Sequence, residues 1–311
     1  MCRDKYGRSP LFYATTTKEA KLYLSWGANA NETDQYGGTP LLMAIGDNNI
    51  ELAEFLISHG AVVNSQNSAL LLFDAIGPKV EQKEMVELLL RNGADPNITF
   101  KKGATPIELA FEQNYMDTVA ILYRYGAKIT TIECAVAVND ISKIKKLLEN
   151  PNNSPNYYRL LYYSTSAEVA ELMVNKGAYF NPRTNGVEMM ERAARFGYRE
   201  KVAFLLSKDV CVDSIVDKDM KLTPLAIAAS KSRYDVVELL INRGANVNFK
   251  GKDNYTPLDY AVIGGNYKVV ALLLSKGADV KNRTGKSLLH LARECGHNEI
   301  ADLLRRYGVK R

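Results

Sequence analysis

The stretch that decides the fold is Asp34-Gln35-Tyr36-Gly37-Gly38-Thr39-Pro40-Leu41-Leu42-Met43-Ala44-Ile45, followed by Gly46-Asp47-Asn48-Asn49 and by Ile50-Glu51-Leu52-Ala53-Glu54-Phe55-Leu56-Ile57-Ser58-His59-Gly60-Ala61. Thr39-Pro40 predicts a helix start, because a threonine hydroxyl accepts from orphan N–H groups at a cap and proline fits the first turn. Leu41, Ala44 and Ile45 follow at i, i+3 and i+4, and Leu52, Phe55 and Leu56 repeat that spacing. Gly60 predicts the end of the second helix, since glycine takes the left-handed conformation that closes a helix C-terminus. Two short helices joined by a turn are expected.

Outward from this stretch the dipeptide Gly-Ala recurs at 27–28, 60–61, 93–94 and 126–127, a strict interval of 33 residues. It returns at Gly177-Ala178, then at Gly244-Ala245 and Gly277-Ala278, again 33 apart. Such a period means one supersecondary unit stacked many times, with a core buried between neighbours and a long solvent-facing surface. That surface predicts binding.

Ser9-Pro10-Leu11, Thr39-Pro40-Leu41, Thr105-Pro106-Ile107, Thr223-Pro224-Leu225 and Thr256-Pro257-Leu258 share one place in the unit. Ser287-Leu288-Leu289-His290-Leu291-Ala292 keeps a histidine there and lacks the proline. An asparagine three residues after Gly-Ala stands at Asn31, Asn64, Asn97, Asn181 and Asn248, replaced by Lys281 in the last full copy. These residues resemble the ankyrin repeat, a 33-residue unit carrying Thr-Pro-Leu-His-x-Ala. The resemblance covers the whole chain. It implies an all-α solenoid of stacked helix–turn–helix units with β-hairpin-like finger loops.

A single array of about ten units is expected, at 4–33, 34–66, 67–99, 100–131, 132–156, 157–184, 185–217, 218–250, 251–283 and 284–311. The first is three residues short, and the third lacks Thr-Pro and has a longer inter-helix turn around 77–81. The fifth and sixth depart most: 132–150 has neither Thr-Pro nor Gly-Ala, and Tyr157 to Ser166 puts an aromatic segment where the first helix belongs. Their helices are expected to persist, because Ile141, Ile144, Leu147 and Leu148 keep helical spacing. A change of curvature is expected near 150–165. Glu299, Asp302, Arg305, Arg306, Lys310 and Arg311 make the last unit a polar cap. The apolar first unit, with Leu11, Phe12, Tyr13, Leu22 and Leu24, points to a chain extending upstream of Met1.

Apolar residues at 46% suffice for a substantial core, and 24% charge gives an ordinary water-facing surface. No apolar run approaches the roughly 18 residues that suggest a membrane span. Cys2, Cys134, Cys211 and Cys295 lie far apart, so neither a disulfide framework nor a zinc site is expected. A reducing cytoplasmic location follows, with export from a microbial cell the alternative. Residues 1–150 carry 15 Lys and Arg against 18 Asp and Glu, a net of −3; the rest carry 25 against 17, a net of +8. The basic half predicts an acidic partner there. No recognition helix or aromatic platform accompanies the charge, so nucleic acid is not expected.

Ankyrin repeats imply protein recognition through fingertips and the concave face of the first helices. The fingertip candidates here are Lys5, Tyr6, Arg8, Gln35, Tyr36, Lys101, Lys102, Lys252, Asp253 and Tyr255. The inner-helix candidates are Glu112, Arg195, Phe196 and Lys231. Tyrosine and arginine are favoured anchors, being large, with a polar tip. Tyr157, Tyr158, Tyr162 and Tyr163 are expected to fill space in the irregular sixth unit, with an exposed patch the other reading. Each of His59, His290 and His297 has a structural place: beside the Gly60 cap, in the Thr-Pro-Leu-His position, and in the turn after Gly296. No phosphate loop, nucleophile elbow or carboxylate pair is visible, so neither catalysis, cofactor nor metal is expected. The leading expectation is a monomeric binding scaffold. The alternative is a regulatory or targeting arm of a larger protein, such as a microbial effector acting on host proteins.

Overall fold

The computed structural model of the chain describes residues 3–64, 69–77, 80–100, 103–150, 155–280 and 287–309. Among these it forms nineteen α-helices and one isolated antiparallel bridge, Asp217 to Leu222. The chain divides into two compact units, Met1–Pro151 and Asn152–Arg311, parted within the proline-containing stretch 150–155.

In the first unit a short 3-10 helix, Pro10–Tyr13, precedes α1 (Thr17–Ser25). Four helix pairs follow: α2 (Pro40–Gly46) and α3 (Ile50–Ser58), α4 (Ala69–Ala75) and α5 (Lys83–Arg91), α6 (Pro106–Glu112) and α7 (Met116–Arg124), α8 (Ile132–Ala137) and α9 (Ile141–Leu148). The second unit has five pairs: α10 (Tyr157–Tyr163) and α11 (Ala167–Asn175), α12 (Asn185–Phe196) and α13 (Arg199–Ser207), α14 (Pro224–Ser230) and α15 (Tyr234–Asn242), α16 (Pro257–Ile263) and α17 (Tyr267–Ser275), α18 (Leu288–Glu294) and α19 (Asn298–Arg306).

Apart from the twelve-residue α12, these helices have six to nine residues. That is below the roughly 12–15 residues at which an isolated helix becomes even marginal, so they persist only by packing. Within each unit first helices pack on first helices (α2, α4, α6 and α8; α12, α14, α16 and α18) and second on second (α1, α3, α5 and α7; α11, α13, α15, α17 and α19). Leu41, Ile45, Leu72, Ile76 and Ile107 lie fully buried in the first layer, Leu56, Met85, Leu89 and Leu122 in the second.

The caps form as expected. Thr39 Oγ1 accepts from Leu42 N at 3.2 Å, and Thr105 and Thr256 form reciprocal boxes with Glu108 and Asp259. Thr131 caps α8 without a proline, accepting from Cys134 N at 3.3 Å. The glycine of every Gly-Ala is left-handed, as at Gly60 (φ +89) and Gly126 (φ +90), and Ala61 N then donates back to Leu56 O at 2.9 Å.

The asparagine after Gly-Ala ties four units to the next, whereas Asn181 stays within its own turn, accepting from Arg183 N at 2.9 Å. Asn31 Nδ2 donates to Gly60 O and Asn31 Oδ1 accepts from Val62 N, both at 2.7 Å. Asn97 does the same with Gly126 O (3.1 Å) and Lys128 N (2.7 Å), and Asn248 with Gly277 O (3.2 Å) and Asp279 N (2.7 Å). Asn64 Nδ2 reaches Gly93 O. The seventh unit, which has no Gly-Ala, has an equivalent: Asp209 takes the left-handed position (φ +62) before Val210, and Asp213 accepts from Asn246 N at 3.1 Å. Lys281 lies outside the described residues, as do residues 78–79 of the third inter-helix turn.

The irregular units differ in their turns. Left-handed Asn48, Asn114, Asn139, Gly197, Ser232, Gly265 or Gly296 joins the two helices of seven units. In the first and sixth, Ala14-Thr15-Thr16 and Ser164-Thr165-Ser166 make the connection without one. The first unit is therefore short at this turn. The helices of the irregular units persist as expected, and the aromatic segment is the first helix of the sixth, α10, capped by Asn156 Oδ1 accepting from Arg159 N at 3.0 Å.

Replacing Asn97 with alanine leaves a turn carbonyl and an N–H of the next unit without their partner. Urea unfolding is expected to show a loss of about 1–3 kcal/mol. Asn97→Asp, which keeps the acceptor as Asp213 does, should lose less; equal losses would refute the paired role of the side chain.

Candidate protein-interaction surface

Among the described residues the fingers are tight loops shaped by an aspartate or by backbone bonds. Asp34 Oδ1 accepts from Tyr36 N (2.9 Å) and Gly38 N (2.8 Å), while Asp34 N donates to Gly38 O at 3.0 Å. Asp4 repeats this with Tyr6 N (2.8 Å) and Arg8 N (2.9 Å). Adjacent fingers join through backbone: Gln35 N donates to Tyr6 O at 3.0 Å, and Lys252 N to Met220 O at 2.9 Å.

On this frame the first two fingers bring five candidates together. Tyr36 is 72% exposed, with its ring 6.3 Å from that of Tyr6, and Lys5 Nζ lies 4.9 Å from the Tyr6 ring centre. Gln35 is exposed and holds Tyr6 by its backbone. Arg8 plays a different part. Its guanidinium pairs with the buried Asp34 carboxylate at 2.8 Å and ties the first finger to the second. Burial raises the Asp34 carboxyl, but Arg8 and the N–H groups of Gly38 and Tyr36 outweigh it and hold the group below its ordinary range. Tyr13, 57% exposed and donating to Asp4 Oδ2 at 2.6 Å, joins the same patch.

The other candidates are dispersed. Glu112 and Lys231 are exposed at the ends of α6 and α14. Arg195 pairs with Glu191 at 2.5 Å, its carbonyl accepts from Arg233 Nε at 3.0 Å, and Phe196 stacks on Tyr198 at 5.8 Å. Lys252 is exposed, and half-buried Tyr255 lies 5.7 Å from Tyr260. Lys101, Lys102 and the Asp253 side chain lie outside the described residues.

A concave cavity of about 440 Å³ lies on the first-helix side of the first unit, lined by Phe12, Tyr13, Leu42, Met43, Asp47 and Asp74 among others. Burial pushes the Asp74 carboxyl above its ordinary value. In the second unit all four tyrosines of α10 are half-buried, Tyr162 and Tyr163 edge to face at 5.1 Å. They cover the buried Arg192, whose guanidinium lies 4.7 Å from the Tyr163 ring and 5.0 Å from Phe196. Position-by-position reading missed Arg192 and the buried Lys201. The signal was the column: Lys201 is the third residue of α13, where α3, α5, α15, α17 and α19 carry Leu52, Met85, Val236, Val269 and Ile300.

The histidines sit in structural places. His59 Nδ1 lies 2.8 Å from Phe55 O and its ring stacks on Phe55 at 4.0 Å, and His297 Nε2 lies 3.3 Å from Ile263 O of the preceding pair. His290, in the Thr-Pro-Leu-His position, pairs along its own helix with Glu294 at 3.1 Å. Burial pushes the Cys134 thiol up to about 11, far from a reactive thiolate. Among the described residues no three His, Cys, Asp or Glu side chains converge to hold a metal, and no helix is long and apolar enough to cross a membrane.

Ankyrin repeats match the chain in three copies, over residues 1–67, 17–100 and 210–284. The irregular stretch 132–184 lies outside them. The chain is 27% identical over 295 residues to the transient receptor potential cation channel subfamily A member 1 of Homo sapiens, covering 81% of this chain and 25% of that protein. It is 32% identical over 122 residues to the ankyrin repeat, SAM and basic leucine zipper domain-containing protein 1 of Dasypus novemcinctus, covering 37% and 26%. Rabankyrin-5 of Mus musculus is 27% identical over 236 residues, covering 70% and 18%. The chain thus spans about a quarter or less of the length of these relatives. With repeat signature, paired-helix layers and matched family in agreement, the chain belongs to the ankyrin repeat proteins.

Proposed function

We propose that the chain is a non-catalytic scaffold that binds a partner protein through its finger loops and first-helix faces, with its ten units acting as one array. The observation that carries this is the Tyr6–Tyr36 pair. Two rings 6.3 Å apart stand on loops whose backbone is already bonded, and Tyr36 exposes most of its surface. Such a group contributes contact area with little ordering cost, which is what an interface anchor needs. The net +8 of the second unit supports an acidic partner there, and the widely spaced cysteines support a reducing, intracellular setting. No cofactor, metal or nucleic acid enters this reading, and the chain works as a monomer. A second reading, the interaction arm of a larger protein, is favoured by the short share of its relatives that the chain covers.

Affinity capture on the immobilised chain, with mass spectrometry and then a purified partner, tests this. Tyr36→Ala is expected to weaken partner binding about 30-fold, as an interface hot spot does. Its unfolding free energy should stay within about 0.5 kcal/mol of the parent, because the ring is exposed. Arg8→Ala, by contrast, should lower the urea midpoint by breaking the bond between fingers. A partner held equally by the parent and the Tyr36→Ala and Tyr6→Ala variants would sink the fingertip reading. Retention at high salt would assign the contact to the tyrosines rather than to charge.

A further inference from the structure

Lys201 is 1% exposed, in a column that six other units fill with apolar side chains and α7 with the buried Thr118. It reaches from α13 to the C-terminal end of α10, donating from Nζ to Leu161 O at 2.7 Å and to Ser164 Oγ at 2.6 Å. Ser164 is itself buried and donates to Leu161 O at 2.7 Å. These groups belong to the short turn that lacks a left-handed residue, so the lysine bonds a carbonyl at the end of α10 from the following unit.

We propose that Lys201 makes the junction of the sixth and seventh repeats proton-controlled, closed when the amine is neutral and loosened when it is charged. The count of donors supports it. A neutral amine has two N–H groups for the two acceptors present, whereas an ammonium has a third N–H and a full charge to bury.

The Phe204 ring of α13, 5.3 Å from Nζ, offers a charged amine a partial partner, but the surrounding charges do not compensate its burial. On α12 the nearest influence is the buried cation Arg192, which repels a charged Lys201. The other groups of that helix are engaged elsewhere, Glu191 with Arg195 and Glu188 with the Tyr158 hydroxyl of α10. Glu171 of α11 pairs with Lys208 of α13, and Glu168 is exposed. On α10, Arg159 is exposed, and Tyr162 and Tyr163 lie against Arg192. Arg199 and Glu200 of α13 and Asp235 of α15 are exposed, and Glu238 is half-buried.

Burial first, then Arg192, pushes the Lys201 amine down from 10.5 to about 7. The unfolded chain therefore binds more protons than the folded one between about pH 7 and 10.5, and stability rises with pH through that window. Below it the cost of the buried charge is fully present. A proton then bears on α10, whose tyrosines cover Arg192.

Two measurements on the whole chain test this. In protein labelled with ¹³C,¹⁵N-lysine, one side chain should titrate near neutrality; if every lysine titrates near 10.5, the proposal falls. Thermal melts from pH 6 to 10 should show Lys201→Met several degrees more stable than the parent at pH 6, with the gap closing as pH rises. A gap independent of pH overturns the proposal. Should that variant fail to fold, Ser164→Ala keeps the lysine and removes one acceptor. Faster amide exchange in α10 at pH 6 than at pH 9, corrected for intrinsic rates, is expected in the parent, and unchanged protection there also overturns it.

Discussion

Helices this short cannot hold themselves, so every junction between neighbouring repeats carries the stability of both. The asparagine after Gly-Ala addresses that constraint directly. Left-handed glycine turns the chain so that its carbonyl and the N–H two residues on lie open beside the preceding unit. One amide side chain, donor and acceptor together, then meets both, as Asn31 and Asn97 do. Loss of a repeat's neighbour would remove these bonds and the apolar contacts at once, which is why such arrays behave as chains of coupled units.

Much of this was legible. Thr-Pro and Gly-Ala each encode a local conformation, a cap and a left-handed turn, and at the repeat interval they mark helix starts and stops. The seventh unit was illegible to the same ruler because Asp209-Val210 satisfies the conformation without the dipeptide. Aspartate tolerates the left-handed region better than most side chains, and Asp213 keeps half of the asparagine's function. The tyrosines of α10 likewise sit on a helix that carries neither mark. Aromatic residues are modest helix formers, yet packing over Arg192 overrides that preference.

The candidate surface was legible in position and not in role. Tyr36 and Arg8 both belong to fingers, and composition cannot tell them apart. Burial can: the tyrosine stands in solvent while the arginine is committed to Asp34. Lys201 was hidden by the opposite error, since a lysine beside Glu200 reads as part of a solvated helix face. Only its column, apolar in six other units, points to a position that faces inward.

This division of labour explains why family membership does not name a partner. The finger backbone is shaped by Asp4 and Asp34 and by the Gln35–Tyr6 backbone bond, none of which uses the side chains of Lys5, Tyr6, Gln35 or Tyr36. Those side chains can therefore change without disturbing the loop that presents them. Loop shape and the side chains it exposes are thus set by different residues of one short loop. Arg8 is the position where the two overlap, because one guanidinium holds two fingers together and also borders the Tyr6 ring at 5.7 Å. A partner that drew Arg8 away from Asp34 would leave that buried carboxylate without its cation.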